Sequence, residues 1–225
     1  MLVAKPHLYA LRMFALWALT LLLTALPAAK SEGQLVIVNN LPNAATNSLG
    51  ITYDFWRANE FTVGSTDARF GNVTISLASA DPVNPLVVQL WSGNTTRPTA
   101  LIATLSGANP TTGGNYTFSA TSSITLSALT PYWVVLSTSS SFSATDYEWN
   151  STSDLSTTGP GTLDGYNSAT ASGTLWLTHV TSSNFMMSVS VPEPAAYGLI
   201  FGMGILAWGA WRSSVRKNLR ESQYA

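Results

Sequence analysis

No cysteine occurs in the 225-residue chain. That excludes disulfides and thiolate metal sites, so packing and hydrogen bonds alone must hold the fold. Histidine is almost missing as well: His7 lies near the start, and His179 is alone in the rest. Charged residues make up 9% of the sequence, against about 25% in an ordinary soluble domain. The few charges are lopsided. Between residues 33 and 190 there is no lysine, and Arg57, Arg69 and Arg97 stand against eight acids, a balance of about −5. A basic footprint for nucleic acid is therefore lacking. Helical periodicity is also lacking in that stretch, and its solubility rests on Ser, Thr and Asn rather than on charge.

Long apolar runs occur only at the two ends. Lys5, His7 and Arg12 precede an uncharged run of 14 residues, 13–26, followed by the small residues Ala28 and Ala29. A positive start, a short apolar core and a small-residue cleavage site make residues 1–29 a secretory signal peptide. The body that follows is expected to be exported.

At the other end, Val191, Pro192, Glu193 and Pro194 precede a 17-residue apolar run, 195–211. As a helix this run is roughly 25 Å long, within the accepted range for a membrane span. Trp208 and Trp211 suit an interface, and Arg212, Arg216, Lys217 and Arg220 follow as a basic cluster. Positive charge on that side places the C-terminus in the cytoplasm and the body outside. Proline at a first helical turn with an acid beside it also suits an ordinary anchor helix, so a plain membrane anchor is the competing reading.

The middle of the chain reads as strands and turns. Val73, Ile75 and Leu77 alternate with polar residues and share one face. Residues 86–91 form a more continuous apolar run, expected to be a strand covered on both sides. Tyr116 and Phe118 are expected to point inward, and residues 131–136 give the strongest strand signal. Residues 137–173 turn polar and rich in Gly, Ser and Thr, and read as long loops with one or two short strands near 146–150. The last two strands are expected at 174–179 and 185–191, with His179 on the face of Leu175 and Leu177. About ten short strands separated by turn signals imply an all-β fold, an antiparallel β-sandwich or jelly roll. An N-terminal signal helix and a C-terminal transmembrane helix flank it. The divisions are 1–29 signal peptide, 33–190 β-sandwich, 191–220 sorting or anchor segment, and 221–225 tail.

Two resemblances follow from these residues. The Pro192, Glu193, Pro194 motif, the short Gly-containing apolar run and the final basic cluster together resemble the PEP-CTERM sorting signal of bacterial exopolysaccharide-associated proteins. That resemblance implies a partner, the membrane protease-transpeptidase exosortase, which recognises and processes such tails. Across roughly 51–191 the chain also resembles choice-of-anchor β-sandwich domains of type R. The run Leu129, Thr130, Pro131, Tyr132, Trp133, Val134, Val135, Leu136, Ser137 is its best-matching piece. That group brings no catalytic residues.

Chemistry finds little purchase in the sequence. A lone His179 leaves a Ser-His-Asp arrangement one forced candidate, and no Gly-x-Ser-x-Gly elbow or phosphate-cradling loop is present. Asp146, Glu148, Asp154 and Asp164 are the acids from which a paired-carboxylate hydrolase or a Ca²⁺ site would be built. They follow no calcium-loop spacing, and solvated surface carboxylates are the default. Trp56, Trp91, Trp133, Trp149 and Trp176 offer aromatic surface for sugar rings. Trp91 and Trp133, mid-strand, are assigned to the core, which leaves Tyr147 and Trp149 as the candidate ligand platform. The reading is a non-enzymatic, exported surface protein with no cofactor. It plays a structural or adhesive part in an extracellular polysaccharide matrix, with a carbohydrate-binding module as the alternative and a secreted hydrolase a distant third.

Overall fold

A computed structural model describes residues 35–139, 147–170, 173, 175–177, 179–192 and 208. The expected signal peptide, the apolar run apart from Trp208, and residues 221–225 lie outside the described residues. Among those described, no helix is long and apolar enough to cross a membrane.

Among the described residues, thirteen strands follow in chain order. They are β1 (Val36–Asn39), β2 (Asn47–Ile51), β3 (Trp56–Thr62), β4 (Ala68–Ser79), β5 (Leu86–Gly93), β6 (Pro98–Leu105) and β7 (Gly114–Leu126). After these come β8 (Pro131–Thr138), β9 (Tyr147–Thr152), β10 (Thr162–Thr170), β11 (Leu175–Trp176), β12 (Asn184–Phe185) and β13 (Met187–Ser190). One sheet runs β1-β13-β4-β9-β12, with β2 added on β9 and β7 on β4; the other runs β11-β10-β3-β8-β5-β6. Every pairing is antiparallel. The two sheets share one core, so the all-β, two-sheet expectation stands.

Period-two patterning decides which side chains enter that core. Val73, Ile75 and Leu77 of β4 are buried as the alternation requires, and they meet Val134 and Leu136 of β8, Phe61 of β3 and Leu90 of β5 in the same cluster. In β7, Phe118 is buried while Tyr116 packs half-buried against the core. The run 86–91 departs from expectation. β5 lies next to the edge strand β6, so Leu86, Val88 and Leu90 face the core while Val87, Gln89 and Trp91 are only half-buried.

The larger correction concerns 137–173. β9 lies where a short strand was expected near 146–150, but the nine-residue β10 lies where a loop was expected. β10 shows no apolar alternation because its outward positions, Gly165 and Asn167, are filled by close backbone packing and an amide rather than by hydrocarbon. In the final segment β11 spans Leu175–Trp176, and exposed Leu175 and Leu177 flank the half-buried Trp176.

Buried amides take over where ladder bonds run out, Asn59 between the two sheets and Asn40 within the seven-stranded one. Asn59 Oδ1 accepts from Phe185 N at 2.8 Å, and Asn40 accepts from Met187 N at 2.7 Å while its Nδ2 donates to the Phe185 carbonyl. Such bonds offset the cost of burying polar groups.

Candidate functional site

The outer face of the six-stranded sheet, turned away from the core, carries the least ordinary chemistry in the molecule. Register builds it. Glu60 of β3 lies opposite Trp133 of β8, which lies opposite Trp91 of β5. One step along, Ala58 pairs with Val135, and Val135 with Gln89. At the near end Ala169 of β10 sits between Trp56 and Trp176. Ala58, Trp133 and Val135 thus form a second, smaller buried cluster, against which Trp56, Trp91 and Trp176 pack half-buried. Trp133 is buried as expected, but in this outer layer and not between the sheets.

Each indole has a reason for its place. Trp133 Nε1 donates to the Asn94 carbonyl at 2.9 Å, Trp91 Nε1 to Gln89 Oε1 at 2.9 Å, and Trp56 Nε1 to the Tyr53 carbonyl at 2.8 Å. Trp56 and Trp91 meet edge to face, with centroids 6.4 Å apart. The turn between β5 and β6 is drawn down over this face. Asn94 Oδ1 accepts from the backbone N–H groups of Thr96 and Arg97, closing an Asx turn, and Asn167 Nδ2 donates to the Thr96 carbonyl at 2.7 Å.

Beneath the tryptophans lies a group the sequence did not single out. The Glu60 side chain has no exposure, and its Oε2 stands 3.4 Å from Nε2 of His179, whose side chain is 13% exposed. Burial, with Asp164 nearby adding to it, pushes the Glu60 carboxyl up to about 7. Burial lowers His179, and the Asp164 charge opposes that shift only in part. Both shifts run against the charged forms, because burial disfavours charge on either group. Neither Glu60 oxygen has a hydrogen bond among the described residues. His179 lies edge-on to Trp133 at 5.4 Å. It reaches Glu60 across Gly165, whose φ of +124° suits glycine, and where an added Cβ would lie 2.7 Å from His179 Nε2. His179 therefore faces the outer cluster, not the side of Leu175 and Leu177. The pair can hold a proton but offers no opening for a substrate to reach Glu60. The alternation of Trp56, Ala58 and Glu60 was the one signal that could have found this face.

The expected platform is corrected. Tyr147 and Trp149 are both fully buried on β9, inside the main core. The Trp149 ring stacks on Phe185 at 4.3 Å, and its Nε1 donates to the Met186 carbonyl at 3.0 Å. The Tyr147 hydroxyl is 2.6 Å from the Asp81 carbonyl. Neither ring has a face left for a ligand; the polar residues around them in sequence concealed a core strand.

Among the acids considered for metal or hydrolysis, Asp146 lies outside the described residues. Glu148 accepts from Ser48, Asp154 accepts from the Ser156 N–H, and Asp164 accepts from the hydroxyls of Thr62 and Thr162. These bonds occupy the carboxylates locally. Among the described residues, no group of three or more His, Cys, Asp or Glu is placed to hold a metal ion.

The sorting segment begins on the fold itself. β13 lies between β1 and β4, and just past its end Val191 N–H donates to the Leu35 carbonyl at 2.9 Å. Ser190 Oγ bonds Asn72 Oδ1 at 2.9 Å. The chain then leaves over Gly71, where a Cβ would stand 2.5 Å from the Val191 carbonyl carbon, and Pro192 is exposed. Glu193, Pro194, Arg212, Arg216, Lys217 and Arg220 lie outside the described residues. In comparison with known families, residues 190–217 match the PEP-CTERM protein-sorting motif. The tail carries a PEP-CTERM motif. This motif implies an exported, cell-surface protein whose processing partner is an exosortase. The match starts at the last residue of β13, so no spacer separates the PEP-CTERM motif from the sandwich. No curated protein matches the chain.

Proposed function

We propose that this chain is a non-catalytic surface protein. It is exported by its N-terminal signal peptide, sorted by exosortase through residues 190–217, and used as a structural or adhesive part of an extracellular polysaccharide matrix. The observation that carries the reading is the PEP-CTERM motif joined directly to β13. In this reading the apolar run 195–211 holds the chain in the membrane until processing, with the basic cluster on the cytoplasmic side. The resemblance of 51–191 to choice-of-anchor domains, which carry interchangeable tails, supports the same division of labour. A non-catalytic role agrees with the buried position of the Glu60 and His179 pair.

An epitope tag after Ala225, in a host possessing an exosortase, tests the sorting step. The tag should be lost from surface material of the wild type and kept on membrane-bound Glu193→Ala. Proline at 192 and 194 holds an extended segment, and Glu193 is its one charge for a processing enzyme to read. A tag retained on wild-type surface protein would leave a plain anchor as the answer.

A second reading, a carbohydrate-binding module, is favoured by one observation. Trp56, Trp91, Trp133 and Trp176 share the outer face of one sheet, and three of them are only half-buried.

A further inference from the structure

We propose that the cleft between Trp91 and Trp176 binds a carboxylated sugar ring within an acidic polysaccharide. The cleft is lined by Trp91, Arg97, Pro98, Thr99, Gly173 and Trp176 and encloses about 250 Å³. That is below the ~300–1,000 Å³ of drug-sized ligand sites, so it holds one ring with the rest of the polymer outside.

Three features select the ligand. The apolar surface is aromatic: two half-buried indoles beside a proline suit the C–H faces of a pyranose better than a flexible aliphatic chain. The free polar hydrogens come from Arg97 and Trp176, while the Thr99 hydroxyl already donates to the Ser92 carbonyl. Arg97 is exposed, and among the described residues neither its guanidinium nor the Trp176 Nε1–H has a hydrogen-bond acceptor. No described carboxylate lines the cleft, although the body as a whole is acidic. A cleft with one cation, a free indole N–H and no carboxylate calls for an acceptor-rich anion, and a guanidinium pairs with a carboxylate in a two-bond fork. The cleft is also held in shape before any ligand arrives. The Asn94 Asx turn, the Asn167 bond to the Thr96 carbonyl and the Trp133 bond to the Asn94 carbonyl pin the turn that carries Arg97, which lowers the ordering cost of binding.

The proposal deepens the matrix reading and rests on it for the source of the ligand. Affinity electrophoresis of the full chain in a native, detergent-containing gel cast with polygalacturonate tests it. Retardation is expected, weakening as salt is added. Arg97→Gln, an exposed change that leaves the fold alone, should weaken retardation at least tenfold. Trp176→Ala should do the same, and because its indole packs on the outer cluster its retardation is compared at a temperature well below the melting point of the variant. Fully methyl-esterified polygalacturonate, with the same ring but no charge, and polyglutamate, with the charge but no ring, should each bind at least tenfold more weakly. Absence of retardation by polygalacturonate, equal retardation by either control polymer, or full retention by Arg97→Gln would each overturn the proposal. A tag kept at Ala225 on surface protein breaks the sorting reading and leaves the gel result untouched, so the two failures are distinct.

Discussion

The outer faces of the two sheets are built on opposite plans. On the seven-stranded sheet, β7 turns Asn115, Thr117, Ser119, Thr121, Ser123 and Thr125 to solvent, with Ser122 also exposed where the pairing with β4 shifts register. Thr117 shares a 2.8 Å hydroxyl contact with Thr74 of β4, and Asn150 of β9 bonds Ser76. That face is a hydroxyl and amide surface, which keeps an almost charge-free body wet. On the six-stranded sheet the corresponding positions hold tryptophans over a buried carboxyl. A two-sheet fold needs only its inner faces buried. A second packed layer on one outer face is more than the sandwich requires, which is why the proposed ligand cleft is placed on that face.

The comparison breaks most readily at the core that both plans share. Trp149→Ala removes a fully buried indole stacked on Phe185 and should cost about 3–5 kcal/mol in urea unfolding. A loss below about 1 kcal/mol would mean that Trp149 is accessible after all and would restore it as a ligand platform. Val135→Asp puts a charge into the outer cluster, where Val135 is fully buried, and should cost several kcal/mol. If Val135→Asp proves neutral, the tryptophan layer is loose, and the two outer faces differ in composition only.

Glu60 sharpens the contrast through pH. Its folded pKa, about 7 against 4.5, is raised by burial. The folded state therefore binds the proton more tightly than the unfolded chain does. The stability contributed is present in full below pH 4.5 and is lost as pH rises through 7. His179 runs the other way, because its folded pKa is lowered, so its contribution is lost as pH falls below 6.5. Glu60→Gln keeps His179 and removes the carboxyl. Relative to wild type it should gain on the order of 3 kcal/mol between pH 4.5 and 8.5. Urea midpoints at the two pH values check this, and parallel behaviour of the two proteins would mean that Glu60 is solvated.

How much of this was legible in sequence depended on whether a position is read along one strand or across several. Val73, Ile75 and Leu77 declare their face within a few residues, and the tail declares itself within about thirty. Glu60 does not. Its burial needs Trp133 from β8 and His179 from beyond β11, and it needs the bare backbone of Gly165 on a strand whose composition reads as loop. Trp149 misled for the opposite reason. Its neighbours in the chain are polar because they face outward from the seven-stranded sheet, so local composition described the wrong side of the strand. Pairing partners were the missing information in both cases.

The smallest expected effect tests the plainer face. Thr117→Val exchanges two β-branched residues of similar shape, so strand preference and side-chain entropy hardly change. What is lost is one hydroxyl contact to Thr74 at an exposed position, where water can take the place of the missing partner. Surface substitutions of this kind fall within about 0.5 kcal/mol, and the urea midpoint should move by no more than that, with its slope unchanged. The partner variant, Thr74→Val, should behave alike, and the double variant should show almost no coupling. A loss above about 1.5 kcal/mol from Thr117→Val would mean that water does not reach this hydroxyl pair. The β7 face would then be covered by something in the assembled protein, and the contrast between a wetted face and a working face would have to be given up.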